Sequence, residues 1–159
     1  AIKNGKLYGI GYTAVVEPSV SNMGYITTAL PHKEREKSGH KGGAIASASV
    51  AIGPMGGVYV TCDSLPQGQG HKTVLAQVVA DIFGISFETV NVNTELDTQK
   101  DPWSIAAGNY SSRFAGAVAG TTALAAKKLK TKLALIASSK LNCKTENLVF
   151  ENNLSLIHI

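Results

Sequence analysis

The sequence predicts an α+β domain, a small mixed sheet with two helices packed on one side. Three observations predict it. Residues 44–52 and 58–63 are strand-like stretches on either side of a Gly53-Pro54-Met55-Gly56-Gly57 turn, the pattern of a β-hairpin. Residues 73–83 place Val74, Leu75, Val78, Val79, Ile82 and Phe83 on one face at helical spacing. Residues 111–138 carry a longer helical period, with a spine of Ala115, Val118, Thr122, Ala125, Leu129, Leu133 and Ile136.

The elements follow in order. Leu7, Ile10, Tyr12, Val15 and Val16 make residues 6–17 a strand, bent at Gly9 and Gly11. Residues 18–43 are polar and charge-rich and read as a long loop with a short strand at Tyr25-Ile26-Thr27. A loop of that length points to function or to missing neighbours. After the hairpin comes the first helix, closed by Gly84 as a C-terminal cap. A short strand at 89–92 leads to a polar loop, 94–108, whose Trp103 is expected to plug the core. The second helix and a last strand, Leu148-Val149-Phe150, complete the order. The chain lacks an initiator methionine, and Leu154 to Ile159 follow a polar turn with no continuing pattern. Residues 1–153 are therefore expected to be part of a domain, and 154–159 a tail foreign to it.

Composition narrows the function classes. The 159 residues are 44% hydrophobic, enough for one domain with a core, and only 6% aromatic, so alanine and glycine set close packing between elements. The net charge of +4 gathers late, at Lys127, Lys128, Lys130, Lys132, Lys140 and Lys144. Without interleaved aromatics or arginine clusters, that run reads as a solvated helix face and not as a nucleic-acid surface. No stretch is apolar enough to span a membrane, and no secretory leader opens the chain. Cys62 and Cys143 lie far apart with no metal-ligand spacing, as expected of reduced thiols in a cytoplasmic protein. His32, His40 and His158 stand in polar surroundings with no metal-site pattern, and no Ser-His-Asp or Cys-His constellation occurs.

Two segments carry chemistry. Gln67-Gly68-Gln69-Gly70-His71 joins an apolar strand to a helix. A helix start leaves backbone N–H groups without intrahelical partners and carries partial positive charge. Two glycines let a ligand approach the backbone, and two glutamines add amide donors and acceptors. The place suits a phosphate or another anion. A plain turn is the alternative, and the third glycine of a nicotinamide-type fingerprint is missing, since Lys72 and Thr73 follow Gly70. Gly108-Asn109-Tyr110-Ser111-Ser112-Arg113 repeats the arrangement: a glycine-bearing loop, two hydroxyls near a helix start, and an arginine in the first turn. A cation there opposes the helix dipole and needs a partner. A phosphate matches the guanidinium fork; a carboxylate such as Asp97 or Asp101 is the alternative. One pyrophosphate-containing cofactor could span both segments.

Pro66-Gln67-Gly68-Gln69-Gly70-His71-Lys72-Thr73, then Gln77-Val78-Val79-Ala80-Asp81, then Gly108 to Arg113 resembles the large, molybdopterin-binding subunit of the molybdenum hydroxylases. This is the xanthine dehydrogenase, aldehyde oxidase and aerobic carbon monoxide dehydrogenase family, and the likeness is greatest to carbon monoxide dehydrogenase-like large subunits. Val16-Glu17-Pro18-Ser19 and Ser21-Asn22-Met23-Gly24-Tyr25 extend the resemblance, which covers residues 6–153. It implies that Gln67, Gly68, Gln69, Gly70, His71 and Thr73 contact molybdopterin cytosine dinucleotide, with Gln69 towards the metal side of the pterin. Tyr110, Ser111, Ser112 and Arg113 would line the second cofactor segment. It also implies oxidative hydroxylation at an electrophilic carbon, with electrons leaving through [2Fe–2S] and FAD groups on partner subunits, in a homodimer of heterotrimers. The pterin dithiolene holds the metal in this family, so no protein metal ligand is expected. The family's general-base glutamate lies in a G-x-G-E segment that this sequence lacks, so no catalytic residue is assigned and the fragment alone is expected to be inactive. A nucleotide- or phosphate-binding module without redox activity is the alternative.

Overall fold

The computed structural model describes residues 2–16, 20, 28, 30–37, 45–101, 103, 107–151 and 154–157. Its centre is a three-stranded mixed sheet. Strands β3 (Ala48–Ile52) and β4 (Val58–Cys62) form the expected antiparallel hairpin, with Val50 opposite Val60. The turn is closed by Gly53 N–H donating to Gly57 O at 2.8 Å and Gly56 N–H to Gly53 O at 2.9 Å. β5 (Val90–Asn93) then pairs with β4 in parallel, Val58 opposite Val90 and Val60 opposite Val92. A parallel neighbour requires a crossover, and helix α2 (His71–Phe83) supplies it.

β4 is buried on one face only. Val58, Val60 and Cys62 are covered, whereas Tyr59 is half exposed on the other face. On the covered face lie α2 and α3 (Gly120–Leu141), which also pack on each other. The core joins Val60, Leu75, Val79, Phe83, Val118 and Ala126, and each fully buried aliphatic side chain contributes about 1.5–3 kcal/mol. The expected fold class, a small mixed sheet with both helices on one side, is the observed one.

Within α2 the buried face is Leu75, Ala76, Val79, Ala80 and Phe83, while Val74, Val78 and Ile82 sit at its margin. The two alanines put small side chains in the buried face beside α3, as the alanine-rich composition anticipates. Gly84 caps the helix in a left-handed conformation (φ 69°), donating to Ala80 O at 2.8 Å. Lys130 is not part of a simple solvated face. Its ammonium donates to Ile82 O at 2.5 Å and lies 5.1 Å from the Phe150 ring, so it neutralises the negative end of α2.

The second helix departs from its expected spine. It opens as a 3-10 turn (Tyr110–Ser112), continues as a π-helix (Phe114–Ala119), and only then becomes α3. The wider π turn shifts the helical phase. Val118 and Thr122 of the expected spine are buried and Leu129 and Leu133 pack against the core, while Ala126 is buried in place of Ala125 and Ala115 and Ile136 are exposed.

Four further differences appear. Residues 6–17 do not form one strand: Ile2–Lys3 (β1) and Lys6–Leu7 (β2) make a two-residue hairpin over Asn4 and Gly5, both at positive φ, and residues 8–16 carry no regular structure. His32–Lys37, expected to be loop, is a short helix, α1. Trp103 does not plug the core and is 60% exposed, in a loop pinned near Asp97 and Asp101 instead. Residues 154–157, set apart in the sequence reading, form β7, paired antiparallel with β6 (Leu148–Glu151). The strand expected at Tyr25-Ile26-Thr27 lies outside the described residues.

Candidate functional site

The Gln67–Gly70 loop leaves the carboxyl end of β4 and enters α2, inside the β4–α2–β5 crossover. In parallel βαβ units ligands bind at that end of the strands. Gly68 (φ 99°) and Gly70 (φ 79°) occupy backbone regions that side chains avoid. A Cβ built on either one meets nothing within 4 Å, so the loop faces open space. No side chain caps α2 at Gly70. Gln67, Gln69, Lys72 and Thr73 are exposed around this helix start, and Gln67 N–H donates to Gln69 Oε1 at 2.5 Å, curling the loop.

Asn109 opens the second helix, also left-handed (φ 68°) and also without a side-chain cap. Its side chain reaches back to the first segment. Asn109 Nδ2 donates to Leu65 O at 2.5 Å, which turns Oδ1 towards Ser64 and His71. Ser64 Oγ donates to Oδ1 at 2.6 Å, and His71 Nε2 lies 3.0 Å from both Oδ1 and Ser64 Oγ. Because Oδ1 only accepts, the bond assigns a proton to His71 Nε2. Burial holds its pKa below 6.5, outweighing the opposing Asn109 bond, and the nearby Arg113 charge adds to the lowering. The imidazole stacks on Phe114 with centroids 3.8 Å apart. Leu65 N–H donating to Ala107 O at 2.8 Å completes the clasp. The two segments that the sequence singled out separately are thus tied side by side.

Arg113 faces inward from there. It is fully buried, and Nη2 donates to Asp63 Oδ1 at 3.0 Å and to Ile45 O at 3.1 Å. Its carboxylate partner is therefore Asp63, the residue following β4, and not Asp97 or Asp101. Those two belong to their own turn, where Asp97 N–H donates to Asp101 Oδ2 at 3.0 Å and Lys100 pairs with Asp97 at 3.4 Å. The Gln99 backbone N–H lowers the Asp97 pKa. His71 is equally enclosed, with no exposed surface. Of the ten residues the sequence nominated, Gln67, Gly68, Gln69, Gly70, Thr73, Tyr110 and Ser112 are exposed, His71 and Arg113 are fully buried beneath them, and Ser111 is placed by its backbone in the 3-10 turn.

Asp63, Ser64 and Asn109 were missed as site residues. Asn109 carried a signal, standing after a glycine at a helix start, where asparagine tolerates positive φ. Asp63 and Ser64 close a strand and offer no pattern. Cys62, beside them, is a buried free thiol whose pKa burial raises; Cys143 is a half-buried free thiol. Among the described residues no group of histidine, cysteine and carboxylate side chains could hold a metal ion, and no helix is long and apolar enough to cross a membrane.

Uncapped backbone donors, positive-φ glycines facing open space and surrounding amides and hydroxyls fit a phosphate-bearing cofactor, held by backbone more than by charge. A family model described as a molybdopterin cofactor-binding domain matches residues 1–157. This chain belongs to that family. It is 31% identical over 161 residues to the nicotine 6-hydroxylase large subunit of Paenarthrobacter nicotinovorans, covering 99% of this chain and 18% of that protein. Among solved structures it resembles the Cu,Mo-CO dehydrogenase (TM-score 0.63, 31% identity, 72% of this chain, 14% of the other). It also resembles quinoline 2-oxidoreductase from Pseudomonas putida 86 (TM-score 0.62, 33% identity, 70% of this chain, 14% of the other). The chain thus spans less than a fifth of the length of these relatives. The resemblance to molybdenum hydroxylase large subunits is borne out, and a nucleotide module without redox activity finds no support.

Proposed function

We propose that this chain is the cofactor-holding part of a molybdenum-dependent oxidoreductase that hydroxylates an electrophilic carbon, and that its cofactor is molybdopterin cytosine dinucleotide. The observation that carries this reading is the pair of uncapped helix starts joined through Asn109. When bound, the cofactor supplies the oxygen-transfer and two-electron chemistry.

The residues of this chain bind and orient. The N–H groups at the start of α2, approached over Gly68 and Gly70, would receive phosphate oxygens, aided by the helix dipole. Gln67, Gln69 and Thr73 would add hydrogen bonds around them, with Gln69 towards the pterin. Tyr110, Ser111 and Ser112 would line the second part of the cofactor. His71 and Arg113 would act from behind, His71 fixing the loop through Asn109 and Arg113 anchoring the helix start on Asp63. A neutral imidazole suits its place, since a charged one would leave the Arg113 guanidinium facing a like charge.

Because the chain spans less than a fifth of these relatives' length, the remaining machinery would lie outside this piece. The catalytic base, the rest of the large subunit, an FAD-binding medium subunit and a [2Fe–2S] small subunit would complete a cytoplasmic homodimer of heterotrimers. The test is metal and nucleotide analysis of the full-length protein purified with its partners. About one molybdenum and one cytidine monophosphate, the latter after acid release, are expected per large subunit. Active protein that consistently carries neither sinks the reading.

A further inference from the structure

Strand β3 leaves one edge of the central sheet open. Asp63 N–H donates to Ser47 O at 3.0 Å, and Gly53 N–H donates to Gly57 O at 2.8 Å. With Val50 opposite Val60, that phase turns the backbone groups of the odd-numbered residues 47–53 towards β4. The N–H and C=O groups of Ala48, Val50 and Ile52 therefore point the other way, and β3 pairs with no second strand among the described residues. Ala48–Ile52 contains neither charge nor proline, the usual guards of an open edge. A cleft of about 270 Å³ lies between this strand and α3, lined by Ser49, Val50, Ala125, Lys128, Leu129 and Lys132.

A segment that fits this edge stands open in the same chain. Residues 9–16, Gly-Ile-Gly-Tyr-Thr-Ala-Val-Val, have the composition of a strand and no charge. They carry no regular structure, and Ile10, Tyr12, Val15 and Val16 are 81–99% exposed. The chain beyond them is fixed in place: a Cβ on Gly116 would lie 2.9 Å from Val20 Cγ2, so residue 20 rests on the π turn. From that turn the helix runs in the same direction as β3. Arg113 bonds Ile45, Ala125 and Lys128 line the cleft with Ser49 and Val50, and Leu133 and Ile136 line the large groove with Ile52. Gly116 to Ala125 is about 14 Å along the helix, and four extended residues from Val20 to Val16 reach about as far. Val16 therefore comes within reach of the start of β3, and the chain back towards Gly9 has the length to run along β3 in the opposite direction. The other open edge, at β5, lies two strands further away.

We propose that residues 9–16 dock antiparallel on the open edge of β3 as the fourth strand of this sheet, with Val16 beside Ala48 and Tyr12 beside Ile52. In that register Tyr12, Ala14 and Val16 share the face of Val50 and Val60, over the cleft, and their backbone groups meet those of Ala48, Val50 and Ile52. Thr13 and Val15 take the other face, with Tyr59. The docked strand covers an unguarded edge that would otherwise recruit a second chain. Docking uses only residues of this chain and requires no cofactor.

The test is made on the full-length large subunit. Val15→Cys combined with Ser49→Cys should close an intrachain disulfide on mild oxidation, identified by peptide mass, because such directly opposed residues have Cα atoms about 4.5 Å apart. Val15→Cys combined with Asn91→Cys, on β5, should not. Hydrogen exchange reads the same contact without cysteines. Ala14→Pro removes an N–H that donates to β3 and should speed exchange at Ala48, Val50 and Ile52 at least about tenfold. Thr13→Pro, whose N–H points away from β3, should change it less than about threefold. Absence of a disulfide from position 15 to cysteine at Ser47, Ser49 and Ala51 alike overturns the proposal. A disulfide formed only between two chains overturns it too and makes β3 a self-association edge. Equal exchange in the two proline variants, at any level, also overturns it; should Ala14→Pro fail to fold, the disulfide decides. Molybdenum and cytidine monophosphate are measured on the same preparations, so loss of the cofactor reading and loss of this strand remain distinct results.

Discussion

The two loop–helix starts look alike in sequence and do opposite work. At Gly70 the chain enters a regular α-helix, and the exposed side chains around it leave the backbone open. At Asn109 the chain enters a 3-10 turn and then a π-helix, and two side chains turn inward, Asn109 to Leu65, Ser64 and His71, Arg113 to Asp63 and Ile45. The first start is a cradle and the second a clasp. Glycine supplies positive φ and nothing else, so it suits a surface meant to be covered by a ligand. Asparagine supplies the same φ together with a bifunctional amide, so it can lock one loop to another.

The comparison is broken most forcefully at the buried pair. Asp63→Ala should destabilise the fold by about 3–5 kcal/mol, because it leaves the Arg113 guanidinium buried without its carboxylate. Urea unfolding measures this, and a loss below about 1 kcal/mol would show that the pair does not anchor the helix.

Asn109→Gly keeps the left-handed backbone and deletes the clasp. A loss of about 1–3 kcal/mol is expected, since the buried His71 and Ser64 side chains lose their part-buried acceptor on Asn109. In the full-length protein the same change should lower molybdenum content more than Gly70→Asn, which keeps positive φ and adds a side chain into open space. Equal cofactor loss in both variants would mean that clasp and cradle are not separate.

Acid sharpens the comparison at His71. Its pKa is lowered in the fold, so below pH 6.5 the unfolded chain takes up a proton that the folded chain refuses. The stabilisation is complete above pH 6.5 and declines as pH falls towards the lowered folded value. His71→Gln should flatten that part of the stability profile, as followed by thermal unfolding at a series of pH values. Glu88, lowered by its bond from Ser86, and Asp97 act only at more acidic pH, where carboxylates with lowered values take up protons.

The smallest effect on stability is expected at the exposed cradle. Gln69→Ala should change unfolding free energy by no more than about 0.5 kcal/mol and still reduce retained cytidine monophosphate in the full-length protein. Normal retention would remove Gln69 from the proposed site.

A large open groove, about 620 Å³, lies at the opposite end of the sheet between the hairpin turn and the end of α2, lined by Ile52, Val58, Phe83, Leu133 and Phe150 among others. Size therefore does not locate the candidate site; donor chemistry does. At that end Gly84 shows a different use of glycine. A Cβ there would sit 2.4 Å from Phe150 O, so the residue is required by close packing as well as by its backbone angle.

Local chemistry in the sequence determined much of this molecule. The hairpin over residues 53–57, the helix ending at Gly84 and the two loop–helix starts were legible because turn residues and apolar periods act over a few neighbours. Tertiary structure decided what no short window contains. It made β5 parallel to β4, chose Asp63 as the carboxylate partner of Arg113, inserted a π turn into the second helix, and buried the side chains of His71 and Arg113 against Asn109 and Asp63. These outcomes depend on which groups are buried together, because an enclosed charge or imidazole is stable only where a partner from a distant part of the chain meets it.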